Sequence, residues 1–304
     1  MTGNEKYIIL SDGTVYDGIG FGSNEEVLGE IVFNTSMTGY QEMLTDPSYR
    51  GQILVSTYPI IGNYGIDINF SESKKIQVKS YVVRDLCDYP FHFSNNKDLN
   101  EYLFENGIPG IHSVDTRSLT RKIRKFGSKM AIITDNPNID TALTKINNFG
   151  SYEDNNYVDQ VSVKSIENYK VNQTRYKIAL IDFGVKRNII RILNSRECDV
   201  DVYPWNYDFN NLDLNKYDGI VMSPGPGDPK TLLNDIKGIK KSIENIPTLG
   251  ICLGHQIIAH IYGGETFKLL FGHRGGNQPV KELKSGRVYP CLLYTSDAAD
   301  DGVG

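Results

Sequence analysis

The sequence predicts an α/β protein in two parts, a β-rich N-terminal domain followed by a doubly wound α/β domain. Three observations carry that expectation. Up to about residue 150, apolar residues come in short alternating runs broken by Gly, Pro, Asn and Ser, the pattern of half-buried strands. From Tyr176 onward, nearly continuous apolar runs alternate with helical periodicity, as parallel strands covered on both faces require. Between these regions, residues 151–174 are rich in Asn, Ser, Asp and Glu and read as an interdomain linker. A length of 304 residues suits about two such domains, each able to bury its own core.

In the first domain, the apolar pairs 7–10 and 15–16 flank Ser11-Asp12-Gly13-Thr14, and Asp-Gly at that spacing predicts a tight hairpin. Further strands are expected at 30–34, 52–57 and 76–83. Helical spacing appears at 97–105 and at 116–125, the latter with Asp115 as its N-cap, and 129–134 returns as a strand. The polar stretch from Asn34 to Glu42, running on to Ser48 and Tyr49, has the hydroxyls and amides of a binding surface. The same composition also suits a merely solvated loop.

In the second domain, 176–182 reads as a buried strand and 187–193 as its helix. The alternation repeats with strands at 199–203, 217–223 and 248–251 and helices at 231–244 and 253–262. Around the last strand-to-helix step the chain reads Pro247-Thr-Leu-Gly-Ile-Cys252-Leu-Gly-His-Gln256, a nucleophile-elbow pattern with Cys in place of Ser. Gly250 and Gly254 matter there because so sharp a turn needs neighbours without Cβ atoms. A helix N-terminus beneath the thiol favours its anion, which makes Cys252 the candidate nucleophile. The competing reading is a small buried apolar residue, to which two glycines at this spacing are unneeded. One βα unit earlier, Ser223-Pro-Gly-Pro-Gly-Asp-Pro229 forms a stiff turn at a carboxyl end of the sheet, where crevices open. Its Gly227 N–H and that of Leu253 are candidate donors to an oxyanion.

A net charge of −5 with dispersed Lys and Arg provides neither a basic stripe for nucleic acid nor a polybasic anchor for lipid. The start lacks an apolar signal core, and no run approaches the roughly 18 apolar residues of a membrane span, so a cytoplasmic protein is expected. Cys87, Cys198, Cys252 and Cys291 are too dispersed for a zinc cluster, and neither a disulfide nor a structural metal is expected.

The runs 250–256 and 223–229 together resemble the class I glutamine amidotransferases. Four further runs narrow the resemblance to the small-subunit family of carbamoyl phosphate synthase: Phe33-Asn-Thr-Ser-Met-Thr-Gly-Tyr-Gln-Glu42, Thr45-Asp-Pro-Ser-Tyr49, Asp182-Phe-Gly-Val-Lys-Arg-Asn188 and Phe271-Gly-His-Arg-Gly-Gly-Asn277. The resemblance implies a docking domain over 1–150 and a glutaminase domain over 175–289. It implies that Cys252 attacks L-glutamine, that the Gly227 and Leu253 amides hold the oxyanion, and that Ser48, Gly225 and Gln256, with Gly227 and Leu253, bind the substrate. Ammonia would pass to a large subunit that makes carbamoyl phosphate from bicarbonate and ATP, for arginine and pyrimidine synthesis. ATP and Mg²⁺ are expected on that subunit, and no cofactor on this chain, which has no GxxxxGK[ST] loop.

The sequence departs from the family near its end. A cysteine glutaminase needs a histidine oriented by a carboxylate, which the family supplies from a His-Pro-Glu run, and a Gln-Asn-His-Gly stretch contacts glutamine. Neither occurs here; residues 290–304 are acidic, small and aperiodic, and read as a non-native tail on an incomplete glutaminase domain. Of the five histidines, His92, His112, His255, His260 and His273, only His255 and His273 are candidates to lie near the thiol, and His255 should lean along its own helix. The chain as written is therefore expected to turn over little glutamine. Two alternatives stand beside this reading: a docking subunit without catalysis, and an unrelated cysteine hydrolase sharing the Gly-x-Cys-x-Gly elbow.

Overall fold

The computed structural model describes residues 4–92, 96–236 and 238–296. The chain forms two compact units, Met1–Asp154 with Leu269–Ser296, and Asn155–Lys268.

The first unit is a closed barrel of seven strands: β1 (Glu5–Leu10), β2 (Val15–Gly22), β3 (Val27–Asn34), β4 (Gln52–Ser56), β5 (Ser80–Val82), β6 (Pro109–His112) and β7 (Lys129–Thr134), in the order β1-β2-β6-β5-β4-β3-β7. The expected Asp-Gly turn joins β1 to β2. Gly13 takes φ 78, a conformation an L-residue adopts at a cost, and its N–H donates to the Leu10 carbonyl. Antiparallel pairing of Tyr7 with Thr134 through Leu10 with Ala131 closes the cylinder, which leaves no free edge among its strands. Alternate residues feed two cores, as the two-residue period of a strand dictates. Ile8, Leu10, Ile31, Ile53, Ala131 and Ile133 pack with Leu119 and Ile123 of the helix Thr116–Phe126. Val32, Leu54 and Tyr81 pack with Tyr40, Met43 and Leu99. Asp115 caps its helix as expected, accepting from the Ser118 N–H at 2.9 Å.

Several boundaries differ from expectation. The strand read at 76–83 contracts to β5, and two elements had no clear local signal: β6, which opens on a proline, and the helix Ile139–Phe149. Residues 269–289, assigned to the glutaminase domain, belong to the first unit. Phe271 stacks on Phe33 at 5.9 Å between centroids, Leu270 accepts from the Ser128 N–H, and the antiparallel strands His273–Lys281 and Val288–Ser296 follow. Of the expected non-native tail, 290–296 lies within that second strand and 297–304 lies outside the described residues.

The second unit is a five-stranded sheet of β8 (Glu167–Tyr169), β9 (Tyr176–Asp182), β10 (Cys198–Pro204), β11 (Gly219–Met222) and β12 (Thr248–Gly250), in the order β8-β10-β9-β11-β12. All pairs are parallel except β8 with β10. One face buries Ala179, Ile181, Ile220 and Met222 against Leu253 and Ile257, and the other buries Leu180, Val200 and Val221 against Ile190. The run 151–174 is not a plain linker. It carries the short helix Val158–Val161 and the edge strand β8, and it is tied down by carboxylates: Asp182 accepts from the Val163 N–H and Asp199 from the Val171 N–H, at 2.8 and 2.9 Å. Its polarity suits an edge, not a flexible crossing. The helix expected at 231–244 is a 3₁₀ turn at Pro229–Thr231 and a short helix Ile239–Asn245 that starts after Gly238 at φ 75. Among the described residues no helix is long and apolar enough to cross a membrane.

Candidate active site at the strand-to-helix elbow

Strands β11 and β12 run side by side and end at Met222 and Gly250, so the segments leaving them emerge at the same end of the sheet. From β12 the chain turns through Ile251 and Cys252 into the helix Leu253–Ile261. Cys252 is held at φ 51, ψ −113, a conformation an L-residue adopts at a cost of order 1–3 kcal/mol. The surroundings impose it. Ile251 N–H donates to the Met222 carbonyl at 3.0 Å, Gly254 N–H to the Ser223 carbonyl at 3.1 Å, and Gln256 N–H to the Cys252 carbonyl at 3.0 Å. The thiol is thereby lifted to the head of the helix and stays half-buried, while Leu253 and Gln256 are buried beside it. Leu253 is the first helical residue, so its N–H has no acceptor within the helix by position.

The two flanking glycines have a steric reason. A Cβ on Gly250 would lie 2.7 Å from the backbone of His255, and one on Gly254 would lie 2.3 Å from the Met222 carbonyl oxygen. Both obstacles are main chain and cannot swing aside. The Gly-x-Cys-x-Gly spacing is thus the sequence image of a helix start pressed against two strand ends.

The Pro-Gly loop after β11 packs on this elbow. Gly225 is wedged so closely that an added Cβ would lie 2.2 Å from the Phe183 carbonyl oxygen and 2.9 Å from Leu253 Cδ2. Gly227 has φ 90 and nothing within 4 Å of its Cβ position. The hydroxyl of the buried Ser223 accepts from the Phe183 N–H at 2.9 Å and donates to the Pro224 carbonyl at 2.8 Å. Upstream, buried Asp182 accepts from the N–H groups of Val163, Gly184 and Val185. Burial pushes its carboxyl above the ordinary carboxylate range, and those three bonds oppose the rise. Neither Ser223 nor Asp182 was singled out from the sequence. A polar residue at the last buried position of an apolar strand is the signal that points to such anchors.

The second unit therefore brings Gly225, Gly227, Cys252, Leu253 and Gln256 to one end of one sheet. Ser48 lies in the first unit, on the 3₁₀ turn Pro47–Tyr49. Its N–H donates to Asp46 Oδ1 at 2.9 Å, and its buried hydroxyl has no hydrogen-bond partner among the described residues. Much of the polar stretch expected as a binding surface is instead interior. Asn34 is buried and donates to the Tyr49 hydroxyl at 2.9 Å, and Gln41 bonds Asp67 and Ser71. Thr35, Met37 and Thr38 are its exposed members.

The histidines of residues 155–268 are His255, which is exposed, and His260, whose Nε2 lies 2.8 Å from Thr266 Oγ1. His273 belongs to the first unit. Cys87, Cys198 and Cys252 form no disulfide, and among the described residues no cluster of His, Cys, Asp or Glu has the arrangement of a metal site.

Residues 8–133 match the family described as carbamoyl-phosphate synthase small chain, CPSase domain, and residues 179–301 match glutamine amidotransferase class-I. The first of these matches is what an unrelated cysteine hydrolase would leave unexplained. The carbamoyl phosphate synthase small chain of Clostridium acetobutylicum is 44% identical over 294 residues, 97% of this chain and 83% of that one. That of Clostridium perfringens is 45% identical over 285 residues, covering 93% and 80%. The pyrimidine-specific small chain of Bacillus subtilis is 45% identical over 285 residues, covering 93% and 77%. With relatives this similar over nearly its whole length, and both family models matched, the chain belongs to the carbamoyl phosphate synthase small-chain family.

Proposed function

We propose that this chain is the glutamine-hydrolysing subunit of a cytoplasmic carbamoyl phosphate synthase, with Cys252 as the nucleophile. The observation that carries the reading is Cys252 itself, held at positive φ at the head of a helix with the Gly225–Gly227 loop packed against the next residue. In this reading the Cys252 sulfur attacks the carboxamide carbon of glutamine, and negative charge develops on the amide oxygen. The N–H groups of Gly227 and Leu253 donate to that oxygen. The proton given up by the thiol passes to the nitrogen as the C–N bond breaks and ammonia leaves, and water then hydrolyses the thioester to glutamate and restores the thiol. Gly225 and Gln256 help hold the substrate. Ammonia passes to a large subunit that binds ATP and Mg²⁺ and makes carbamoyl phosphate from bicarbonate.

The experiment is Cys252→Ser in the assembled complex. Glutamine-dependent synthesis is abolished, whereas synthesis from added ammonium salt persists, because the partner needs only the ammonia. Equal loss of both activities would sink the assignment of Cys252 as nucleophile.

A further inference from the structure

We propose that Ser223 is a positioning residue whose hydroxyl locks the loop presenting the Gly227 amide to the elbow; the inference rests on the glutaminase reading of Cys252. Ser223 is fully buried immediately after β11 and makes four hydrogen bonds. Its N–H donates to the Ile181 carbonyl and its carbonyl accepts from the Gly254 N–H, both at 3.1 Å. Its hydroxyl accepts from the Phe183 N–H at 2.9 Å and donates to the Pro224 carbonyl at 2.8 Å. One residue thus joins the exit of β9, the Pro-Gly loop and the first turn of the elbow helix.

The side chain matters because the loop cannot anchor itself. Pro224 and Pro226 have no N–H, so across 224–227 only Gly225 and Gly227 carry backbone donors. If the Gly227 N–H is kept for the oxyanion, it cannot also tie the loop down. What fixes the loop is then the wedge of Gly225 between Phe183 and Leu253, together with the Ser223 hydroxyl. Removing the hydroxyl strands a buried N–H on Phe183 and a carbonyl on Pro224, and both regain partners only if the loop shifts. The same shift moves the Ser223 carbonyl, and with it Gly254, two residues beyond the nucleophile. Misplacement of about 1 Å in such a site is worth on the order of 10²-fold in rate.

The test uses the full chain assembled with a large synthetase subunit. Ser223→Ala lowers kcat for glutamine-dependent ammonia release about 10- to 100-fold with KM for glutamine within about threefold, and leaves ammonia-dependent synthesis unchanged. Ser223→Thr keeps the hydroxyl at a fully buried position where bulk alone favours the smaller alanine. It retains at least about a third of kcat if hydrogen bonding is what counts. Hydrogen–deuterium exchange provides a readout independent of turnover: peptides spanning 224–228 and 252–256 exchange about tenfold faster in the alanine variant than in the threonine variant, while the helix Thr116–Phe126 is unchanged. Alanine equal to or better than threonine, or exchange that does not respond, overturns the proposal. So does failure of both variants to fold, which makes Ser223 an ordinary core residue. If the wild-type complex releases no ammonia from glutamine, as the absent His-Pro-Glu run predicts, the exchange order alone decides whether this hydroxyl locks the loop, and the glutaminase reading itself fails only if Cys252 also resists alkylation by a glutamine-analogue electrophile.

Discussion

The two units treat polar residues at strand exits in opposite ways. In the barrel, Asn34 ends β3 and is sealed in: its side chain bonds the Tyr49 hydroxyl and the Ser36 N–H, and the chain then turns into the buried helix Tyr40–Thr45. In the open sheet, Ser223 follows β11 and a strained, half-buried Cys252 lies two residues beyond β12, and the buried bonds are spent on shaping a loop. A closed cylinder has every strand paired on both sides and can bury its polar exits as structure. An open parallel sheet leaves its carboxyl ends uncovered, and there the chain holds Cys252 at a conformation that costs stability.

Substitutions at equivalent depth should therefore read out differently in the two regions. Gly254→Ala has the largest expected effect. Its Cβ would meet the Met222 carbonyl oxygen at 2.3 Å, so the elbow must open, and glutamine-dependent synthesis falls by at least about 100-fold while ammonia-dependent synthesis persists. An active Gly254→Ala enzyme would remove the steric basis for the elbow. Tyr49→Phe should do the reverse, leaving the buried Asn34 amide short of a partner and costing the first unit about 1–3 kcal/mol in a denaturant titration. Cys252 should stay as readily alkylated as in wild type. A change in alkylation without a change in stability would break the contrast between the units.

The smallest effect concerns pH. Burial works to raise the Asp12 carboxyl, yet bonds from Thr14 and the Lys122 ammonium outweigh it and hold the carboxyl at about 2. A carboxyl lowered on folding stabilises above its unfolded pKa of about 4, and that contribution disappears as pH falls from about 4 to 2. Urea midpoints should therefore drop over that window in wild type. They should drop less in Asp12→Asn, and parallel curves for the two proteins would remove Asp12 from the account.

The elbow was legible because the residues that answer its constraints are adjacent in sequence, even where the obstacle, as for Gly254 against Met222, is not. Gly250, Cys252 and Gly254 sit within one turn, and each steric obstacle is main chain a few ångströms away, so the spacing itself encodes the geometry. The parallel core of the second unit was legible for the same reason, since strands buried on both faces are apolar throughout. What escaped notice depends on partners distant in sequence. Barrel closure requires Tyr7 to meet Thr134, and nothing within either strand announces it. The edge strand Glu167–Tyr169 is too short and polar to be told from a linker, and Phe271 reveals its place only through the ring of Phe33. Asn34 and Gln41 misled because an amide suits a solvated loop and a fully bonded interior equally well.

The ladder between β1 and β7 also has a consequence for biosynthesis. Strand β1 leaves the ribosome more than a hundred residues before its partner β7. At translation rates of ~5–20 residues per second, on the order of ten seconds separate the two. Throughout that interval β3, with Val27, Leu28, Ile31, Val32 and Phe33, lacks the β7 neighbour that covers one of its sides. The Phe271 ring that stacks on Phe33 arrives later still. The nascent barrel thus stays an open sheet for most of its synthesis, and through that interval a holdase-type chaperone has an apolar strand to bind.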